Sequence, residues 1–158
     1  MGSGRMRILV IGAAGMLGGK LVERLVRDGL GSETISKLSL VDRVVAEPSG
    51  APGFGVESTV ADLAEPGAAA SIVAGRPDVI FHLAAVVSGE AEDDLENGYR
   101  VNLDATRMLL DAIRACDRGY PLRVVYSSSI AVFRPPCRMS SAMTTASRLP
   151  PATARRRR

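Results

Sequence analysis

Three glycines, Gly12, Gly15 and Gly18, stand in GxxGxxG spacing within "LVIGAAGMLGGKL", where an apolar run gives way to an amphipathic one. A glycine turn at a strand-to-helix junction lets the backbone approach a pyrophosphate. Free N–H groups and the positive end of the helix dipole then meet the phosphate charge. The same spacing can serve packing alone, so the pattern needs a second element. Asp42 supplies it: it closes the next strand, about 24 residues after Gly18, where a carboxylate accepts both ribose hydroxyls of an adenosine. A 2′-phosphate is repelled there, which favours NAD over NADP, although Arg43 beside it works in the other direction.

The elements that must position these residues alternate along the chain. "MRILVI" reads as a buried strand, followed by the glycine turn and a helix with Leu17, Leu21, Leu25, Val22 and Val26 on one face, ending near Gly29. "KLSLVD" is a second strand. "GVESTVADL" is a third, after the Pro- and Gly-containing loop "RVVAEPSGAPGF". "PGAAASIVAG" is a short helix leading into "VIFHLAAVV", the most apolar strand. A long helix from about Tyr99 carries Val101, Ala105, Met108, Leu109, Ala112 and Ile113 at helical spacing, and "PLRVVYSSS" is a fifth strand. This alternation predicts an α/β fold: a Rossmann-like, doubly wound parallel sheet of about five strands in the order 3-2-1-4-5, covered on both faces.

Composition bounds the function classes. A chain of 158 residues with 46% hydrophobic and 23% charged content predicts one soluble domain. No apolar run approaches the roughly 20 residues of a membrane span, so no membrane partner and a cytoplasmic location are expected. Cys116 and Cys137 are isolated, and His82, the only histidine, lies in an apolar run; neither a metal site nor a disulfide framework is expected. The net charge of +3 arises from the C-terminal stretch, because residues 134–158 hold seven arginines and no acid while residues 1–133 are net acidic. A basic arm for nucleic acid is the face-value reading of that tail. No aromatic residue follows Phe133 to stack on bases, so no nucleic-acid partner is expected.

"LVIGAAGMLGGKL", "VADL", "FHLAAVVSGEAE", "YRVNLDAT" and "VVYSSSIAVF" together resemble an extended short-chain dehydrogenase/reductase of the NAD-dependent epimerase/dehydratase family. Within it, "HLAAVVSGEAE" followed by "GYRVNLD" is most similar to the D-erythronate dehydrogenase group, oxidoreductases of carbohydrate metabolism that act on a four-carbon sugar acid with NAD. The likeness covers about residues 6–133. It implies an NAD-binding Rossmann domain over residues 1–133, with Gly12, Gly15, Met16, Leu17 and Gly18 at the pyrophosphate and Asp42 at the adenosine ribose. Asp62 and Leu63 would meet the adenine, Leu83, Ala84 and Ala85 the middle of the cofactor, and Asn102 and Ser127 complete the cofactor site. Substrate contact falls on Ser88 and Gly89 in the loop after strand four. Other readings stand beside these: Leu83 to Ala85 as pure core, Asn102 as a polar residue satisfied by backbone, His82 as a core histidine. The resemblance also implies a sugar-acid substrate and a possible homodimer through helices like residues 90–116. A sugar-nucleotide epimerase or dehydratase, and a non-catalytic nucleotide-binding module, are the alternatives.

In such enzymes a tyrosinate takes the substrate hydroxyl proton, acidified by a lysine four residues later, while a Ser or Thr orients the substrate oxygen. Ser129 stands at the position of that catalytic serine. The YxxxK pair does not follow it: Leu103, Val124 and Ile130 lie four residues after Tyr99, Tyr120 and Tyr126, and the only lysines are Lys20 and Lys37. The chain as given is therefore expected to be inactive. Residues 134–158, expected to be disordered, are explained by a shifted reading frame. Dropping two bases of codon 134 permits A-P-L-P-D-V-I-G-D-D-Y-R-L-T-P and then T-S-Y-G-T, a loop and tyrosine of the missing kind. No lysine codon can follow in that frame. Sequencing the gene across codon 133 decides the matter, since an intact frame there would refute the hypothesis.

Overall fold

The computed structural model describes residues 5–48, 50–116 and 121–129. Five strands, β1 (Arg5–Ile11), β2 (Thr34–Asp42), β3 (Gly55–Val60), β4 (Val79–His82) and β5 (Arg123–Tyr126), form one parallel sheet in the order β3-β2-β1-β4-β5. This is the order the sequence predicts. Helices α1 (Met16–Asp28), α2 (Ala68–Val73), α3 (Ser88–Asp93), α4 (Leu95–Tyr99) and α5 (Ala105–Ala115) connect the strands, with a π-helical turn at Arg100–Asp104 between the last two. The chain divides into a unit of residues 1–127, which holds the sheet, and a unit of residues 128–158, of which only Ser128 and Ser129 are described.

Alternation along β1 builds a core on each face of the sheet. Ile8 and Val10 join Val22 and Leu25 of α1 with Leu38 and Leu40 of β2. Leu9 and Ile11 point the other way, to Val73 of α2 and Ala105 and Leu109 of α5. Each fully buried Leu or Ile contributes about 1.5–3 kcal/mol through the water it no longer contacts. The outer strands differ from the expected cover: β3 and β5 are largely exposed along their length.

Two expected elements change in extent. The apolar run "VIFHLAAVV" pairs as a strand only over Val79–His82; the rest turns away after the Leu83 N–H donates to the Ile11 carbonyl at 2.8 Å. Residues 83–86 stay apolar because they wall a cavity. The long helix begins earlier than Tyr99, at Leu95, where the Asp94 carboxylate caps the Asn97 N–H. It then widens by one residue at Arg100–Asp104, and the Ala105 N–H reaches back to the Arg100 carbonyl in an i→i−5 bond.

The glycine turn is compressed from two sides. Gly12 takes φ +85°, and a Cβ there would lie 2.5 Å from the Ala84 backbone nitrogen. Gly18 sits in the first turn of α1 directly on the turn below, where a Cβ would overlap the Gly12 carbonyl oxygen. Gly19, the next residue, has nothing within 4 Å of a built Cβ. Gly18→Ala should therefore lower stability by about 1–3 kcal/mol or more through overpacking, while Gly19→Ala should raise it by up to about 1 kcal/mol through helix propensity. Urea unfolding of the two variants checks this, with opposite shifts in midpoint expected.

Candidate functional site

A cavity of about 410 Å³ opens at the C-terminal ends of the strands, across the point where the chain order reverses between β1 and β4. Gly12 and Gly15 form its floor beside the start of α1, Asp42 and Asp62 lie on the β2–β3 side, and Leu83, Ala84 and Ala85 on the β4 side. Gly15 is the N-cap of α1 and has no side chain to satisfy the first-turn N–H groups, which leaves donors and a positive dipole end beside the turn.

Asp42 is held rather than free to swing. One carboxylate oxygen accepts the Ala14 N–H at 2.9 Å and the other the Arg43 N–H at 2.7 Å. Each oxygen retains acceptor capacity for a further donor, so the carboxylate can take a pair of hydroxyls while the turn and β2 fix its direction. Asp62 is similarly braced: it accepts from the Ala64 N–H at 2.9 Å and pairs with the Arg100 guanidinium at 2.9 Å. Burial alone raises its carboxyl, but the Ala64 N–H and Arg100 outweigh that and hold it below the usual carboxylate range.

The structure brings together Gly12, Gly15, Asp42, Asp62, Leu63, Leu83, Ala84 and Ala85 around one cavity. Met16 and Leu17 occupy the first turn of α1 with their side chains exposed, and Gly18 is packed beneath the turn. Asn102 does not line the cavity. Its side chain accepts from the Val86 N–H at 2.8 Å and donates to the Val86 carbonyl at 3.0 Å, and Val86 is part of the wall. Ser127 follows β5, and its N–H donates to the His82 carbonyl at 3.2 Å. Ser88 and Gly89 open α3 rather than a loop, because the chain re-enters a helix directly after Val87; Gly89 does not line the cavity, whereas Glu90 of the same helix does. Ser129 is exposed and belongs to the second unit.

Sequence reasoning missed Val86, Glu90, Val101 and Arg43 as wall residues. Helical spacing could have found Val101, which shares a face with Ala105. Nothing local marks Glu90.

His82 is 2% exposed and borders the cavity from beneath. Its Nε2 lies 3.0 Å from the Thr106 hydroxyl, its Nδ1 has no partner among the described residues, and its ring is tilted against Tyr126 at 5.4 Å. Burial pushes the imidazole below the ordinary histidine value. The unfolded chain therefore takes up a proton first as pH falls below about 6.5. Stability from the neutral His82 is complete above that value and declines below it, toward the depressed folded value. Asp62 adds loss in the same direction at lower pH, as it too is protonated first in the unfolded chain. Urea midpoints should fall between pH 7 and pH 5, and His82→Gln should flatten that decline.

The family model described as "NAD dependent epimerase/dehydratase family" matches residues 8–154, running past Phe133. D-erythronate dehydrogenase of Cupriavidus necator is 39% identical over 133 residues, covering 81% of this chain and 40% of the relative. UDP-glucose 4-epimerase of Mycolicibacterium smegmatis is 35% identical over 125 residues, covering 78% and 39%. The crystal structure of a nucleoside-diphosphate-sugar epimerase from Agrobacterium tumefaciens superposes with a TM-score of 0.78 at 54% identity, covering 84% of this chain and 40% of that one. The chain thus spans about two fifths of the length of the proteins it matches. With the strand order, the glycine turn and the carboxylate at the end of β2 in agreement, the chain belongs to the NAD-dependent epimerase/dehydratase family.

Proposed function

We propose that this chain is the NAD-binding part of an oxidoreductase of the D-erythronate dehydrogenase type, acting on the CH–OH group of a sugar acid. The observation that carries it is the cavity at the switch point, where the glycine turn and a doubly anchored Asp42 face the same space. The residues fit a dinucleotide. Gly12 and Gly15 leave room for a pyrophosphate against the backbone, the start of α1 offers N–H groups, and Asp42 offers acceptors for two vicinal hydroxyls. Asp62 and Leu63, which line the cavity with Asp42, would meet the adenine, as the family likeness implies.

When bound, NAD supplies the hydride acceptor for a carbinol carbon. This chain's own part is to orient and shield. Leu63, Leu83, Ala84 and Ala85 present apolar wall that excludes water along the cofactor's length. Ser129 is assigned the substrate oxygen, as the family likeness implies. No tyrosine of this chain is followed four residues later by a lysine, so no phenolate is poised to take the hydroxyl proton. The chain as given should bind NAD weakly at best and show almost no turnover.

A sugar-nucleotide epimerase is the second reading, supported by the 35% and 54% identities to proteins of that description. A cytoplasmic location agrees with the absence, among the described residues, of any helix long and apolar enough to cross a membrane. Exposed Leu95, Tyr99, Leu103 and Leu110 along residues 95–115 support a homodimer through that helix.

Calorimetry on the full chain tests the reading. NAD should bind more tightly than NADP, and Asp42→Ala should weaken NAD by about 10- to 100-fold, the effect of losing hydrogen bonds to a charged acceptor. No oxidation of D-erythronate should be detected. Equal affinity for the two cofactors, or an unaffected Asp42→Ala variant, would overturn the assignment of the ribose site.

A further inference from the structure

The sole histidine and the turn of helix above it form a connected set of hydrogen bonds that the cofactor assignment does not use. Thr106 Oγ1 lies 3.1 Å from the Asn102 carbonyl oxygen and 3.0 Å from His82 Nε2. A carbonyl only accepts, and a threonine hydroxyl has one proton. With that proton directed to the carbonyl, the Nε2–H tautomer donates to Thr106 and leaves Nδ1, which has no partner among the described residues, bare. From the same helical turn, Asn102 holds both the N–H and the carbonyl of Val86. The segment between these anchors, Leu83 to Ala85, lines the cavity.

We propose that Thr106 is a positioning residue for the cofactor: with its hydroxyl oriented by His82, it locks the π-helical turn to β4 and so fixes the wall at residues 83–86 against the nicotinamide-ribose half. This rests on the dinucleotide reading. Asp42 and Asp62 mark the adenosine half over β2 and β3, and β4 lies on the opposite side of β1, so the residues leaving β4 receive the other half. Thr106 touches neither end directly. It acts through Asn102 and Val86 on one side and His82 on the other.

The test compares the full chain with Thr106→Val and Thr106→Ser, titrated with NAD and with ADP, which keeps the adenosine and both phosphates but lacks the nicotinamide and its ribose. Thr106→Val should weaken NAD about tenfold, the effect of one buried hydrogen-bond partner lost. ADP affinity should stay within about twofold of wild type and Thr106→Ser should restore NAD binding, since the serine keeps the donor and acceptor. A purely structural role would move NAD and ADP together. That result, or NAD binding unchanged in Thr106→Val, would overturn the proposal. With one histidine in the chain, the imidazole ¹⁵N shifts are unambiguous: a neutral Nε2–H ring at pH 7 is expected, and an Nδ1–H ring or an imidazolium overturns the proposal even where Thr106→Val fails to fold. A wild-type chain that binds neither NAD nor ADP refutes the dinucleotide reading beneath it instead.

Discussion

Three stretches of backbone meet at Gly12 with no side chain between them: the turn after β1, the first turn of α1 at Gly18, and the exit of β4 at Ala84. Everything at the C-terminal edge of the sheet depends on that contact. Because Gly18 sits on the Gly12 carbonyl, α1 starts close to the strand end and its unsatisfied N–H groups open toward the crevice. Because Gly12 presses on the backbone of residues 83 and 84, the chain leaving β4 is directed past the turn, and the cavity has two walls of bare backbone. A methyl group at either glycine would separate the layers that form the site.

Electrostatics then divides the cavity. On the β2–β3 side the two carboxylates, Asp42 and Asp62, are each anchored by a backbone N–H, and Arg100 holds the second of them. On the β4 side Leu83, Ala84 and Ala85 are apolar, Glu90 of α3 adds one carboxylate, and the backbone at Val86 is held by Asn102. A ligand with hydroxyls at one end, a diphosphate in the middle and a flat ring at the other is complementary to that arrangement. Arg43 keeps one cation at the carboxylate end, exposed at the rim, where solvent screens much of its field.

Sequence patterns revealed what is local or periodic. The strand order followed from strict alternation of apolar runs with amphipathic ones, and the glycine turn and Asp42 stood out because a fixed chemistry demands them at fixed chain positions. The length of β4 was misjudged because a cavity wall and a buried strand both require apolar residues; "LAAVV" reads alike in either setting. The π-helical turn at Arg100–Asp104 leaves no mark in the 3.6-residue pattern beyond a one-residue slip. The Asp62–Arg100 pair and the grip of Asn102 on Val86 join residues far apart in the chain, and only the folded topology brings them together. The expectations for the tail beyond Ser129 lie outside the described residues.

Amide hydrogen exchange of the full chain with and without saturating NAD probes the central claim most directly, since it reports on the backbone that forms the site. Slower exchange is predicted at residues 13–18 and 83–86 together, on both sides of the glycine contact, with no change along α2. Protection confined elsewhere, or none at the glycine turn, would contradict the account.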